Sequence, residues 1–190
     1  MELILASGSP RRKELLGLFH IPFQIRAADI DETMDPSVSP AAETARVSRL
    51  KAQAVAGGED RVIVAADTIV VCAGRILGKP RDEDEARAML TLLSGRDHQV
   101  MTGCTVLRGQ TGETFTEITD LHFRALTAEE IDAYVRSGEP MDKAGAYGIQ
   151  GGAALFCERI NGDYYNVMGL PVCRLGQTLR KIAPELFTKP

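Results

Sequence analysis

Apolar positions along the chain alternate between the periods of strands and helices. ELILA, Glu2–Ala6, is a short apolar run and predicts a buried strand. SGSPRRKELL follows it. Ser9-Pro10 supplies a serine N-cap with proline at the first helical position, so a helix is predicted from there to about Phe19. Pro22–Ile30 reads as a second strand, and DIDETMDPSVSP as a polar, proline-containing loop. Ser39-Pro40 repeats the cap-then-proline signal and opens a helix to about Ala56, closed by Gly57-Gly58. VIVAA, Val62–Ala66, is a continuous apolar run of the kind buried strands carry. Ile69–Cys72, Ala73-Gly74 and Arg75–Leu77 then read as a tight hairpin.

Asp82–Ser94 has helical period and ends at Gly95. His98–Leu107 and Glu113–Phe123 alternate and join through RGQTG as a second hairpin. LTAEEIDAYVRSG carries a capping box, Thr127 with Glu130 three residues on, and stops at Gly138. Ala153–Ile160 predicts a strand and Pro171–Ile182 a last helix. Strands and helices interleave, which predicts an α/β fold, and the hairpins make its sheet mixed. At 190 residues the chain is expected to be one domain, residues 1–190, or two small lobes sharing a core.

Composition narrows the function. The 44% hydrophobic content supports a sizeable core, while the net charge of -4 argues against a general nucleic-acid binder. An anionic ligand would have to meet a local cluster of Lys and Arg. Cys72, Cys104, Cys157 and Cys173 are widely spaced with no CxxC, and His20, His98 and His122 are scattered, so buried reduced thiols are expected and not a zinc site. No apolar run approaches the ~18 residues of a membrane span, and no basic segment leads an apolar one at the N-terminus. The expectation is a cytoplasmic protein with no membrane and no nucleic-acid partner.

Against this background several polar residues stand out. SGSPRR places Arg11 and Arg12 in the first turn of a helix, at the positive end of its dipole, where a cation is unfavourable unless an anion joins it. The alternative is a plain N-cap with two solvated arginines. Lys51 falls on an apolar stripe with Val47, Leu50 and Ala54, either snorkelling to its edge or meeting a charge. Asp67 follows five apolar residues, at or just past a strand end, with the Thr68 hydroxyl beside it; it is a metal ligand, a general base or a turn former. Lys79 in GKP and the acidic stretch Asp29–Glu32 are weaker signals, though carboxylates there and at Asp67 would suit a hard divalent cation. In DKAGAYGIQGG, Asp142–Gly152, the glycines let backbone approach a ligand, Tyr147 offers a flat ring and Gln150 can donate and accept; an irregular surface loop is the other reading. The set suits a nucleoside polyphosphate with a metal. No GxxxxGKS/T is present, so this is not a P-loop, and no GxSxG points to acyl transfer.

ASGSPRR at 6–12, DET at 31–33, RLKA at 49–52, ADTIV at 66–70, GKPRD at 78–82, LSGRDHQVMTG at 93–103, DKAGAYGIQG at 142–151 and GLP at 169–171 resemble, in order, the motifs of the Maf family. These are nucleoside triphosphate pyrophosphatases, also called septum-formation inhibitors. KAGAYGIQG resembles the subgroup acting on dTTP and UTP; a subgroup preferring 7-methyl-GTP differs there. One departure is local: AETARVSRLKA lacks the Tyr-Val pair often found ahead of RLA. The resemblance implies an α/β fold with a mixed twisted sheet flanked by helices, two lobes around a central cleft, similar to the inosine-triphosphatase-like fold, and commonly a homodimer. It implies hydrolysis of the α–β phosphoanhydride with Mg²⁺ or Mn²⁺, with modified pyrimidine nucleotides as further candidate substrates. By motif, Asp67 matches the proton acceptor, and Arg12, Thr68 and Gln150 match positions tied to pyrimidine selectivity. Ser7, Ser9, Arg11, Lys51 and Lys79 match the phosphate-binding set, with the two lysines neutralising charge, and Glu32 joins Asp67 as a metal position. A nucleotidyltransferase, or a division regulator that binds nucleotide without turnover, are the competing readings.

Overall fold

The computed structural model describes residues 1–188. Strand β1, Glu2–Leu5, is wholly apolar after its first residue and lies parallel to both β2, Phe23–Ile25, and β3, Arg61–Cys72. β3 turns through Ala73-Gly74, both at positive φ (49° and 74°), into antiparallel β4, Arg75–Leu77. Two left-handed central residues are what a tight hairpin with native twist requires. β5, Asp97–Arg108, β6, Thr111–Phe123, and β7, Cys157–Asn161, extend the sheet in the order β2-β1-β3-β5-β6-β7, with β7 antiparallel to β6. The seven-stranded sheet is therefore mixed, as the interleaved pattern and hairpins predicted.

Among the described residues six α-helices accompany it: α1, Pro10–Gly17; α2, Pro40–Ala54; α3, Glu83–Leu93; α4, Ala128–Arg136; α5, Tyr164–Met168; and α6, Val172–Ile182. The capping box at Thr127 and Glu130 forms in full. Among the described residues no helix is long and apolar enough to cross a membrane.

Contacts divide the chain into two compact units. The first comprises residues 1–67, 102–117 and those from Gly169 on, and its core includes Ile4, Ala6, Ala52, Ile63 and Ala65. The second comprises residues 68–101 and 118–168, and its core is aromatic. The Phe123 ring meets His98 and Tyr147 edge-on at 4.7 and 4.8 Å between centroids.

Several boundaries differ from the sequence reading. The second strand shrinks from Pro22–Ile30 to three residues, because only Phe23–Ile25 pair with β1. The helices predicted to Phe19 and Ala56 stop at Gly17 and Ala54. Val62–Ala66 and Ile69–Cys72 are one strand, since pairing is made by backbone and a polar Asp67-Thr68 step does not interrupt it. Gly152–Leu155 is a 3₁₀ turn, and β7 starts only at Cys157; Leu155 is 76% exposed, so the apolar run there was no strand signal. α5 was not predicted. All four cysteines are free, but only Cys72 and Cys104 are buried, with Cys173 exposed.

Candidate active site

In the first unit α2 decides the geometry. Its buried face is not the predicted stripe of Val47, Leu50, Lys51 and Ala54. It holds Glu43, Thr44, Val47, Ser48, Lys51 and Ala52, while Ala54 is exposed. A half-polar face can be buried because its hydroxyls find partners. Ser48 Oγ lies 2.8 Å from Thr105 Oγ1, and Thr44 Oγ1 donates to the Ala41 carbonyl at 2.9 Å. The same packing takes Lys51 inside.

Lys51 is 7% exposed, and its ammonium donates to Asp67 Oδ1 and to Glu32 Oε2, both at 2.8 Å. Asp67 is 6% exposed. It stands within β3 and not at or past the end of a strand, correcting the sequence reading. Thr68, the next residue of β3, is half-buried. Two carboxylate oxygens thus converge on one cationic point. They are hard oxygen donors of the number a small divalent ion takes from protein, so this donor set fits Mg²⁺ or Mn²⁺. Asp31 does not join them; its Oδ1 accepts from the Thr33 N–H. Among the described residues no group of three or more His, Cys, Asp or Glu gathers as a metal centre.

α1 opens beside β1. Ser9 is its N-cap but makes no side-chain cap, Pro10 takes the first position, and no acidic residue stands in the first turn. The positive end of the dipole is left to Arg11 and Arg12. Arg12 is held by a fork: Nε donates to the Gly169 carbonyl at 2.9 Å and Nη1 to Ser7 Oγ at 3.2 Å. Ser7 also accepts from the Ser9 N–H at 3.3 Å. Gly169 sits at φ 111°, which only glycine adopts readily, so the carbonyl that aims Arg12 depends on that residue type. Burial pulls the Arg12 guanidinium below its ordinary value, and the Asp67 charge opposes this. Burial also pushes the nearby Cys104 thiol up to about 12, which leaves it inert as a nucleophile.

The first unit therefore brings together Ser7, Ser9, Arg11 and Arg12 at one helix start and Lys51, Asp67 and Glu32 in one ion cluster. Arg12 and Asp67 feel each other's charge. Thr68, Lys79 and Gln150 belong to the second unit. Lys79 is exposed after β4, where the neighbouring Gly78 carbonyl accepts from the Gly145 N–H at 3.0 Å. Gln150 is exposed on a turn closed by Gly151 N–H to the Gly148 carbonyl, 3.0 Å. Tyr147 is not available to stack on a ligand ring. It is 5% exposed and its hydroxyl lies 3.0 Å from His98 Nε2. The sequence reading did not find the Gly169 carbonyl as the aim of Arg12, although GLP at 169–171 was among the motifs, nor Tyr134 and Glu139, which hold the Gln150 turn.

A mixed α/β protein thus holds in one unit a guanidinium fork and a buried lysine bonded to two carboxylates. The Maf-like protein family matches residues 2–182, and the chain belongs to that family. It is 50% identical over 181 residues, 95% of either chain, to a dTTP/UTP pyrophosphatase of Bacillus cereus (strain G9842). It is 50% identical over 183 residues to a dTTP/UTP pyrophosphatase of Alkaliphilus metalliredigens (strain QYMF), covering 94% of this chain and 95% of that one. Among solved structures, the Staphylococcus aureus Ham1 protein aligns with a TM-score of 0.44 and 14% identity over 65% of this chain and 72% of that one.

Proposed function

We propose that this chain is a dTTP/UTP pyrophosphatase. Water attacks the α-phosphorus, the α–β anhydride bond breaks, and the nucleoside monophosphate and pyrophosphate leave. The observation that carries the reading is the buried Lys51 ammonium braced by Asp67 and Glu32 in a unit that also holds the Arg12 fork. Half-identity to relatives of that name over nearly the whole chain supports the substrate class.

In this reading Arg11, Arg12, Ser7, Ser9 and the start of α1 take phosphate oxygens, using fixed N–H and guanidinium donors. Lys51 and Lys79 neutralise charge that grows on the leaving pyrophosphate. Asp67, fixed on a strand, accepts the proton of the attacking water. Thr68, Gln150 and Arg12 select the pyrimidine nucleotide. Asp67 and Glu32 would hold Mg²⁺ or Mn²⁺, which supplies electrostatic stabilisation of phosphate oxygens when bound. A cytoplasmic homodimer completes the proposal, with a division regulator that binds nucleotide without turnover as its alternative.

The test is pyrophosphate release from dTTP, UTP, CTP, ATP and 7-methyl-GTP, with Mg²⁺ or Mn²⁺, by wild type and Asp67→Asn. Turnover of dTTP and UTP that falls ~10²–10⁴-fold in the variant is expected. Tight nucleotide binding without turnover, or turnover only with an acceptor phosphate, would replace the hydrolase with a regulator or a transferase.

A further inference from the structure

The segment Gly148–Gly152 carries Gln150 at its centre, and both of its ends are tied to one carboxylate. The Gly148 N–H donates to the Tyr134 hydroxyl at 3.0 Å. That hydroxyl donates to Glu139 Oε1 at 2.9 Å. The Gly152 N–H donates to Glu139 Oε2 at 3.1 Å. The chain of bonds thus runs from Gly148 through Tyr134 to Glu139 and back to Gly152, two residues to either side of Gln150. Glu139 is itself anchored, because Lys143 Nζ donates to its carbonyl at 2.6 Å and to Asp142 Oδ1 at 2.7 Å. The turn lies directly on the carboxylate: a Cβ added at Gly151 would run into Glu139, and one at Gly148 would come within 2.6 Å of Lys143 Cε. Glycine is required there for close approach.

Each atom of this clasp has one suitable chemistry. Gly148 and Gly152 present donors, so the group between them must accept at both ends. A carboxylate has two acceptor oxygens and no proton to misplace. The phenol lets the shorter side reach, accepting from one partner and donating to the other. Burial raises the Tyr134 hydroxyl above its ordinary value, so it stays protonated and keeps that donor.

We propose that Glu139 and Tyr134 are positioning residues that set base selectivity by fixing the Gln150 turn. This rests on the reading that Gln150 meets the base of the nucleotide. Both act through the turn they hold. A side-chain amide that discriminates one pyrimidine from another must be held to within a fraction of an ångström, and a misplacement near 1 Å can cost ~10²-fold. A turn with three glycines in five residues has little stiffness of its own, and the clasp supplies it.

The experiment is a double-mutant cycle on the full chain, reading kcat and KM for dTTP and for CTP. The variants are Glu139→Gln, Tyr134→Phe, Gln150→Ala and the two pairs with Gln150→Ala. Glu139→Gln keeps the size but turns an NH₂ toward a donor; Tyr134→Phe removes the bridging oxygen and is the milder change to the fold. Each is expected to lower kcat/KM for dTTP ~10-fold, mainly through KM, and to shrink the preference for dTTP over CTP by a similar factor. In the Gln150→Ala background each should cost less than ~2-fold, because the group they position is gone. Equal losses with and without Gln150, or an unchanged dTTP-to-CTP ratio, would overturn the proposal while leaving the hydrolase standing. Wild-type silence toward both dTTP and UTP would overturn it together with the function it rests on.

Discussion

Lys51→Met removes one charge and almost no volume, and the structure fixes what that does. Lys51 and Asp67 are 7% and 6% exposed, so the variant leaves a buried carboxylate without its nearest cation. Removing one partner of a buried pair costs about 3–5 kcal/mol. The Glu32 side chain is 54% exposed, so its bond to Lys51 counts as a surface pair, ~0–1 kcal/mol. Arg12 also acts on Asp67 and trims the loss toward the lower end, about 3 kcal/mol. For a chain of this size that is a fall in Tm of roughly 6–12 °C. Asp67→Asn is gentler, about 1–2 kcal/mol, because Lys51 keeps Glu32. The double variant Lys51→Met/Asp67→Asn should recover about 2 kcal/mol over Lys51→Met alone, since no unpaired charge stays buried. Urea melts near neutral pH with chelator present measure all four proteins. If Lys51→Met lies within ~1 kcal/mol of wild type, or the double variant is no more stable than Lys51→Met, the pair is wet and the argument fails.

Two further outcomes follow from the geometry. Burial pulls His98 down to about 4 from 6.5, so between those values the unfolded chain takes up a proton that the folded one refuses. Stability should therefore fall as pH drops through that window, by about 3 kcal/mol in all, and His98→Gln should flatten the slope there. Glu130, held at about 2 by Arg124, is lost only in a lower window, so pH-dependent urea melts of the two proteins separate the groups. Arg12→Lys keeps the charge but loses the fork to Gly169 and Ser7, and should raise KM for dTTP ~10–100-fold in steady-state kinetics. Gly169→Ala should do the same more weakly by turning the carbonyl away; unchanged KM in both would remove Arg12 from substrate binding.

What could be read before folding was whatever broke a local rule. Lys51 and Asp67 are charges inside apolar patterns, and both prove to be buried ion partners. The cap-then-proline starts at Ser9 and Ser39 and the box at Thr127 are local rules obeyed, and they give helix starts to the residue. The face of α2 was misread because the apolar count favours Leu50 and Ala54, while Thr44 and Ser48 go inside on hydrogen bonds that only the fold supplies. Tyr147 was misread for a related reason. Four glycines in eleven residues signal a loop, but composition does not say whether a loop lies on the surface, and this one puts Tyr147 against Phe123. Glu139 was silent because its partners are two backbone N–H groups and a phenol brought together by tertiary structure.

The two bonds of Lys51 are unequal in a way that bears on turnover. Asp67 lies on a strand paired within the sheet and is as buried as the lysine, so that bond is strong and its position is fixed. Glu32 comes from an irregular loop and is more than half exposed, so that bond is weak and its carboxylate has somewhere to go. Ser48 and Thr105 hold the helix from below and keep the Lys51 backbone from following a departing partner. When a phosphate competes for the ammonium, the contact that yields at least cost is Glu32. Under the proposed function Lys51 would then meet the phosphate while still bonded to Asp67, the proposed proton acceptor. A carboxylate fixed on a strand, a buried cation bonded to two carboxylates, and an acidic side chain on an exposed loop are three different mechanical properties. The sequence supplies them through a strand, a helix face and a loop.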